Sequence, residues 1–221
     1  MTTQRPGTDT TPLAAIRAAI AQSEKIAGRP AGSTTLIAIS KTKPVEALID
    51  QGHRVFGENR VQEAAAKFPQ LRERYADLAV HMVGQLQSNK ADEAVALFDA
   101  IHSLDRPSLA KALAAAMDKA GKRVPCFVQV NIGEEEQKGG CAIADLPAFL
   151  TLTRELELPV VGLMAVPPAD VEPAPYFALL AKLARDAGLD QLSMGMSGDY
   201  ETAVRIGATH VRIGSALFGE R

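Results

Sequence analysis

Short apolar runs alternate with longer amphipathic segments along almost the whole chain. Residues 12–27 are predicted to form a helix, and eight apolar runs after it are predicted to be strands. These strands are residues 35–40, 54–57, 80–84, 100–104, 125–132, 160–166, 191–195 and 210–213. A helical segment follows each strand, for example residues 108–120 and 175–187, in which apolar residues recur at helical spacing. Strict alternation of strands and helices predicts a parallel sheet.

Eight strand–helix units in succession predict an α/β fold, a single closed (β/α)8 barrel of the TIM type that comprises residues 12–221. The alternative is a doubly wound open sheet, whose strands are apolar on both faces because helices cover both. Two strands of this chain instead carry polar residues on one face. Gln129 shares its face with Phe127, and Arg212 shares its face with His210. This pattern favours a barrel whose interior opens onto a polar site.

Composition and charge exclude several classes of function. The formal net charge of −2 gives no basic surface for nucleic acid or membranes. Cys126 and Cys141 lie far from any cluster of histidines, so no metal site is predicted. Residues 1–11 are polar, lack the apolar stretch of a signal peptide and are predicted to be a disordered leader. No apolar run is long enough to span a bilayer, so we expect a cytoplasmic protein, and a monomer because no apolar arm is left over.

Polar residues concentrate where the predicted strands end, and barrels of this type build their active sites from the loops at those ends. Lys41 follows the first strand. Residues 193–199 and 211–216, at the ends of the last two strands, are turns rich in glycine and hydroxyl groups. Such turns direct backbone N–H groups at one point and suit phosphate, although glycine and serine also cap helices. Together these features predict a Schiff-base site for a phosphorylated aldehyde.

Three side chains near these ends allow two interpretations each. Lys41 has to lose a proton to attack an aldehyde, and burial or a nearby cation must lower its pKa from about 10.4; otherwise it is a solvated loop lysine. Arg212 faces inward and needs a partner, which is either a carboxylate such as that of Glu58 or the ring nitrogen of a bound cofactor. Asn59 either orients a ring or caps the following helix. His81, inside the third strand, is interpreted as a hydrogen-bonded core residue rather than as a base.

Six motifs in the same order resemble those of one family, the pyridoxal phosphate homeostasis proteins, also known as the proline synthase co-transcribed protein family. They are residues 38–44 (AISKTKP), 56–59 (FGEN), 86–90 (LQSNK), 162–164 (GLM), 195–197 (GMS) and 211–219 (VRIGSALFG). The resemblance extends over residues 34–221, which is nearly the whole chain.

The resemblance implies a barrel like the N-terminal domain of alanine racemase, with pyridoxal 5′-phosphate held as an internal aldimine. In this family's pattern, Lys41 matches the Schiff-base lysine. Ser197, Gly214 and Ser215 match phosphate contacts, Arg212 matches the residue near the pyridine nitrogen, and Asn59 matches a residue close to the ring. The family more often has threonine where this chain has Ser215, and the hydroxyl group is kept.

Three functions are considered from these residues. The family has no established turnover, and no acid–base residue is found to pair with Lys41, so no catalytic residue is assigned. We therefore expect a carrier that exchanges the cofactor with the free pool or with acceptor apoenzymes. The alternative is a small racemase-like enzyme acting on amino acids, but its base is not evident, because none of the three tyrosines, Tyr75, Tyr176 and Tyr200, lies at a predicted strand end. An aldolase-like barrel whose lysine attacks a sugar phosphate is the third hypothesis.

Overall fold

The alternation of apolar and amphipathic segments produces a closed barrel of eight parallel strands in the computed structural model, which describes residues 10–219. The strands are β1 Thr35–Ile39, β2 Val55–Glu58, β3 Ala79–Met82, β4 Ala100–Leu104, β5 Cys126–Gln129, β6 Val160–Met164, β7 Gln191–Ser193 and β8 His210–Ile213. Their order around the barrel is their order in the chain, and β8 pairs with β1 to close the ring. The predicted (β/α)8 barrel is confirmed, and the open sheet is excluded.

One α-helix precedes the first strand and one follows every strand. The helices are α1 Pro12–Ile26, α2 Glu46–Asp50, α3 Val61–Arg74, α4 Ala91–Leu97, α5 Pro107–Ala120, α6 Leu146–Glu155, α7 Ala174–Asp186, α8 Tyr200–Ile206 and α9 Ser215–Phe218, with a 3-10 turn at Ser88–Lys90 before α4. Helix α5 begins one residue earlier than predicted because Pro107 occupies its first position. Proline is tolerated there because an N–H group at the first position of a helix has no partner within the helix.

The predicted leader lies outside the described residues except for its last two members, Thr10 and Thr11. Thr11 belongs structurally to the first helix, because its hydroxyl oxygen accepts a hydrogen bond from the backbone N–H of Ala14 at 3.3 Å. This contact satisfies one of the donors that a helix start leaves without an internal partner. Across residues 10–219, none of the helices combines the length and apolar character needed to cross a membrane.

Several strands are shorter than their apolar runs suggested. The fifth strand ends at Gln129 and not at residue 132, because the following loop folds back onto the end of the strand. There, the N–H of Cys141 donates to the carbonyl of Gln129 at 2.8 Å, and the N–H of Asn131 donates to the carbonyl of Cys141 at 2.9 Å. The third strand ends before Gly84, where a Cβ atom would lie 2.3 Å from the carbonyl oxygen of Asn59. Glycine therefore lets the second and third strand ends approach closely.

The strands separate two layers of buried side chains. Phe56 and Val211 belong to the main apolar cluster beneath the helices, and burying a side chain of this size contributes roughly 1.5–3 kcal/mol. Successive strand residues point to opposite faces, so Gly57 and Arg212 point into the barrel. A Cβ atom at Gly57 would lie within 2.8 Å of Ile37 and Ile39 side-chain atoms, which share that interior. The predicted inward orientation of Arg212 is confirmed.

Candidate functional site

A cavity of about 760 Å³ opens at the carboxyl ends of the strands. Its lining is formed by Ile39, Lys41, Asn59, Arg60, Val83, Gly84, Gln85, Gln129, Met164, Val166, Met196, Ser197, Gly198, Arg212, Gly214 and Ser215. All six binding residues that the sequence predicted are among them. Arg212 lies in β8, and the other five residues follow the ends of β1, β2, β7 and β8. These four strands are consecutive neighbours in the barrel wall. The topology therefore brings together residues that are up to 174 positions apart, as the separation of Lys41 from Ser215 shows.

Lys41 has an unusual backbone conformation. Its φ angle is 50°, in the left-handed region, where a residue other than glycine is uncommon and where the strain amounts to about 1–3 kcal/mol. The ammonium group of Lys67, on α3, donates to the carbonyl of Lys41 and, at 3.0 Å, to the hydroxyl of Ser40. The N–H of Lys43 donates to the carbonyl of Ser40 at 2.9 Å. These contacts hold the end of β1 in the conformation that places Lys41 in the cavity wall.

Glu58 completes this arrangement from the end of β2. Its carboxylate accepts from Lys67 at 2.8 Å and from the hydroxyl of Ser40 at 2.5 Å, and its side chain is fully buried. Burial raises the pKa of Glu58, and the hydrogen bonds from Lys67 and Ser40 oppose that rise. The second carboxylate oxygen is buried and has no hydrogen-bond partner within residues 10–219. The ion pair predicted as one alternative for Arg212 is therefore wrong, because Glu58 pairs with Lys67.

Sequence reasoning missed Lys67 because it lies in the middle of a helix and in none of the six motifs. A weak signal was present in the helical period. Lys67 follows buried Ala64 by three residues and precedes buried Phe68 by one, which places it at the edge of the buried face. A long side chain at that position can cover apolar surface while its charged end reaches a polar partner.

The two turns rich in glycine and hydroxyl groups lie side by side in the cavity wall. The backbone N–H of Ala216 in the second turn donates to the hydroxyl oxygen of Ser197 in the first, at 3.4 Å. Gly195 has a φ of +94°, and a Cβ atom there would lie 2.6 Å from that of Ala203, so the first turn requires glycine. Asn59 lines the same cavity, and it does not cap α3, whose N-cap residue is Arg60. Of the two interpretations of Asn59, capping is therefore excluded.

Arg212 is buried, with 6% of its surface exposed. Its Nη1 donates to the hydroxyl oxygen of Ser193 at 2.7 Å, and its Nη2 donates to the carbonyl of Ala165 at 2.9 Å. Burial lowers the pKa of Arg212 to about 10, against the opposing effect of Asp199, so the guanidinium stays charged at neutral pH. Within residues 10–219 these hydrogen bonds use two of its five N–H groups, and Arg212 is one of the residues that line the cavity.

Three histidines lie in the barrel interior beside Arg212. His81 Nδ1 is 3.0 Å from His102 Nε2, and His102 stacks on Phe127 with ring centres 4.2 Å apart. His210 packs edge-on against the ring of Phe127. Burial lowers the pKa of His81 and of His210 to about 4, and it lowers the pKa of His102 well below its ordinary value, so all three are neutral at pH 7. The interpretation of His81 as a hydrogen-bonded core residue is confirmed.

Among residues 10–219, no tyrosine lines the cavity. Tyr75 follows α3, Tyr176 lies in α7 and Tyr200 begins α8, and none is a lining residue. A primary amine, two hydroxyl-bearing turns and a buried guanidinium can together bind a phosphorylated aldehyde. They do not include a tyrosine that could act as a base opposite Lys41.

Residues 12–221 match the family model described as the N-terminal domain of alanine racemase. The chain is 40% identical over 220 residues to a pyridoxal phosphate homeostasis protein from Pseudomonas aeruginosa, covering 95% of this chain and 94% of that protein.

Two solved structures are similar over most of their length. An unknown protein from Bifidobacterium adolescentis is 33% identical, with a TM-score of 0.88, and the match covers 94% of this chain and 93% of that one. PipY from Synechococcus elongatus, solved with PLP bound, is 38% identical, with a TM-score of 0.77, and the match covers 90% of this chain and 100% of that one.

Proposed function

The chain belongs to the family of the pyridoxal phosphate homeostasis proteins, whose barrel is the alanine racemase N-terminal domain, and we propose that it binds pyridoxal 5′-phosphate and acts in cofactor homeostasis. One observation carries the proposal: Lys41 and both hydroxyl-bearing turns line a single cavity. The proposal also draws on PipY, a relative whose structure was solved with PLP bound.

The residues present fit this cofactor group by group. Lys41 supplies the primary amine for the aldehyde, and the reversible reaction forms one C=N bond and releases one water molecule. Ser197, Gly214 and Ser215 supply hydroxyl and backbone donors for the phosphate. Asn59 lines the cavity, and we propose that it contacts the ring.

Arg212 determines what the bound cofactor can do. When bound, pyridoxal phosphate can act as an electron sink through a protonated ring nitrogen. A guanidinium donates hydrogen bonds and never accepts them, so Arg212 beside that nitrogen disfavours its protonation. The site therefore suits holding and releasing the cofactor better than chemistry on amino acids, and we propose a carrier with no catalytic residue that supplies acceptor apoenzymes.

The likeness to alanine racemase keeps a second candidate, a racemase-like enzyme acting on amino acids. Such an enzyme needs a base on the face of the substrate opposite Lys41. Incubation of the cofactor-loaded protein with single-enantiomer amino acids in deuterated water separates the two. A carrier leaves the Cα hydrogen in place, whereas turnover with deuterium at Cα would overturn the carrier assignment.

The binding proposal is tested by the absorption spectrum of the protein with pyridoxal phosphate, before and after borohydride reduction, followed by peptide mapping. We expect a yellow band that reduces onto the peptide containing Lys41 and is lost in Lys41→Ala. Lys43→Ala is the matched control, because Lys43 is two residues away, similarly half-buried and outside the cavity lining. A missing band, or label spread over several surface lysines, would overturn the proposal.

The homeostasis role also predicts transfer of the cofactor. Wild-type protein loaded with cofactor should restore activity to an apoenzyme that depends on pyridoxal phosphate, and Lys41→Ala treated identically should not. We propose that the carrier works as a cytoplasmic monomer, which sedimentation of the loaded protein checks. A role as donor would be contradicted if the apoenzyme were not activated and if the loaded protein released its cofactor no faster in the presence of the apoenzyme than into buffer alone.

A further inference from the structure

A continuous chain of hydrogen bonds crosses the barrel interior and ends at Arg212. It runs from His81 on β3 to His102 on β4, then to Ser193 at the end of β7, and then to Arg212 on β8. The three contact distances are 3.0, 2.8 and 2.7 Å. None of the four residues is more than 9% exposed. A donor among them that lacked an acceptor would therefore destabilise the folded protein.

The chemistry of arginine sets the direction of these hydrogen bonds. Arg212 can only donate, so the oxygen of Ser193 accepts. Within residues 10–219, the only other partner of that hydroxyl is His102, so its hydrogen is used only when it donates to Nδ1 of His102. A neutral His102 then carries its hydrogen on Nε2 and donates it to Nδ1 of His81. The reverse arrangement leaves the Ser193 hydrogen buried without an acceptor.

The partners of Arg212 are also all uncharged. The described part of the chain gives it a hydroxyl and a carbonyl oxygen but no carboxylate within hydrogen-bonding distance. A carboxylate there would hold the guanidinium in a competing pair. Neutral partners instead fix its orientation while its charge remains directed at whatever occupies the cavity.

We propose that Ser193 and His102 are positioning residues, which orient Arg212 through a one-directional chain of hydrogen bonds toward the ring of the bound cofactor. This inference rests on the proposed function for the identity of the ligand. The direction of these hydrogen bonds is a property of the ligand-free protein. Neither Ser193 nor His102 lines the cavity, so both act through Arg212.

The first test measures histidine tautomers in the ligand-free protein by ¹⁵N NMR at pH 7, with His102 signals identified by their loss in His102→Phe. We expect a hydrogen on Nε2 and none on Nδ1 of both His102 and His81. A hydrogen on Nδ1 of His102 would overturn the proposed direction. Because no cofactor is present, this test stands even if pyridoxal phosphate does not bind.

The second test measures cofactor affinity and the absorption maximum of the loaded protein in Ser193→Ala, Ser193→Thr and His102→Phe. Loss of the acceptor for Arg212 should weaken binding about tenfold and shift the maximum in Ser193→Ala, while the cofactor remains reducible onto Lys41. Ser193→Thr keeps the hydroxyl and should restore both values. His102→Phe keeps the stacking on Phe127 but removes the acceptor for Ser193, and should give a smaller change in the same direction.

Ser103→Ala is the matched control. Ser103 is also a fully buried serine of the barrel wall, next to His102, but its hydroxyl has no hydrogen-bond partner among residues 10–219. Its removal should change neither affinity nor absorption maximum. If wild type binds and Ser193→Ala matches it in both readouts, the positioning role is wrong and the proposed function stands. If wild type does not bind the cofactor, the proposed function fails. The tautomer measurement alone then decides the direction of the hydrogen bonds from Arg212 to His81.

Discussion

Two cations near the candidate site have opposite surroundings: Lys67, whose side chain is 19% exposed and which supports Lys41 from behind, and Arg212, which is buried and lines the cavity. Lys67 is paired with a carboxylate, Glu58, and holds the backbone of Lys41. Among residues 10–219, the hydrogen-bond partners of Arg212 are both neutral, namely Ser193 and the carbonyl of Ala165. The comparison shows that a paired cation here serves the conformation of the protein, whereas an unpaired one is available to a ligand. Substitutions on the Lys67 side should therefore affect stability first, and those on the Arg212 side should affect binding first.

The largest expected effect is on the Lys67 side. Glu58→Ala leaves the Lys67 ammonium without a carboxylate in a site where only 19% of its side chain is exposed. Breaking a buried pair in this way costs about 3–5 kcal/mol, which denaturant unfolding measures. Glu201→Ala is the control, because it breaks an exposed ion pair with Arg205 and should cost less than about 1 kcal/mol. If Glu58→Ala lowered the free energy of unfolding no more than Glu201→Ala does, the pair of Glu58 with Lys67 would contribute no more to stability than an exposed ion pair.

The next effect is a difference in pH response between the two sides. The pKa of His210 is lowered to about 4 by burial, so between about pH 6.5 and 4 the unfolded chain binds more protons than the folded one. The free energy of unfolding therefore falls as the pH falls through this window. His210→Phe should remove about 3 kcal/mol of the decrease in the free energy of unfolding between pH 7 and pH 4, as measured by urea unfolding at each pH.

Glu58 should respond in the opposite sense. Because its pKa is raised in the folded state, the folded chain binds more protons just above the ordinary pKa of glutamate. Its contribution to stability is greatest below that pKa and is lost as the pH rises through the raised value. As the pH rises through the raised pKa, the free energy of unfolding of wild type should therefore decrease relative to that of Glu58→Gln. If the difference in free energy of unfolding between wild type and Glu58→Gln did not change across this pH range, burial would not be what sets the pKa of Glu58.

A smaller effect is expected in the first hydroxyl-bearing turn. Gly195→Ala places a Cβ atom 2.6 Å from that of Ala203 in a left-handed backbone position, which should cost about 1–3 kcal/mol and weaken cofactor binding. Gly198→Ala, three residues later, is the matched control for stability, because no atom of residues 10–219 lies within 4 Å of its added Cβ atom. Thermal unfolding and cofactor titration of both variants measure the difference. If Gly198→Ala lowers stability as much as Gly195→Ala does, close packing is not what requires glycine at Gly195.

The fold could be predicted because each strand and helix carries its own pattern. The eight apolar runs and the helices between them all exist, and the errors concern strand ends, where a loop such as the one that returns at Cys141 hydrogen-bonds to the end of a strand. Tertiary contacts of this kind leave no period in the sequence.

The candidate site was predicted as far as its residues lie in local motifs. Lys41, Ser197 and Arg212 come from such motifs and line the cavity together. The residues that support them could not be predicted, because they are distant in sequence and ordinary in composition. Lys67 reaches Lys41 from the middle of a helix, and His102 reaches Ser193 across 91 positions.

The smallest expected effect is at Ser215, whose exposed side chain should tolerate an added methyl group. Ser215 is exposed and begins α9, so Ser215→Thr keeps the hydroxyl and has room for the methyl group. We expect its cofactor affinity to stay within about twofold of wild type, a change of less than about 0.5 kcal/mol. Ser215→Ala, which removes the hydroxyl, should weaken binding about fivefold, near the net value of one hydrogen bond of about 1 kcal/mol. Equal affinity of the alanine and threonine variants would show that backbone donors alone hold the phosphate.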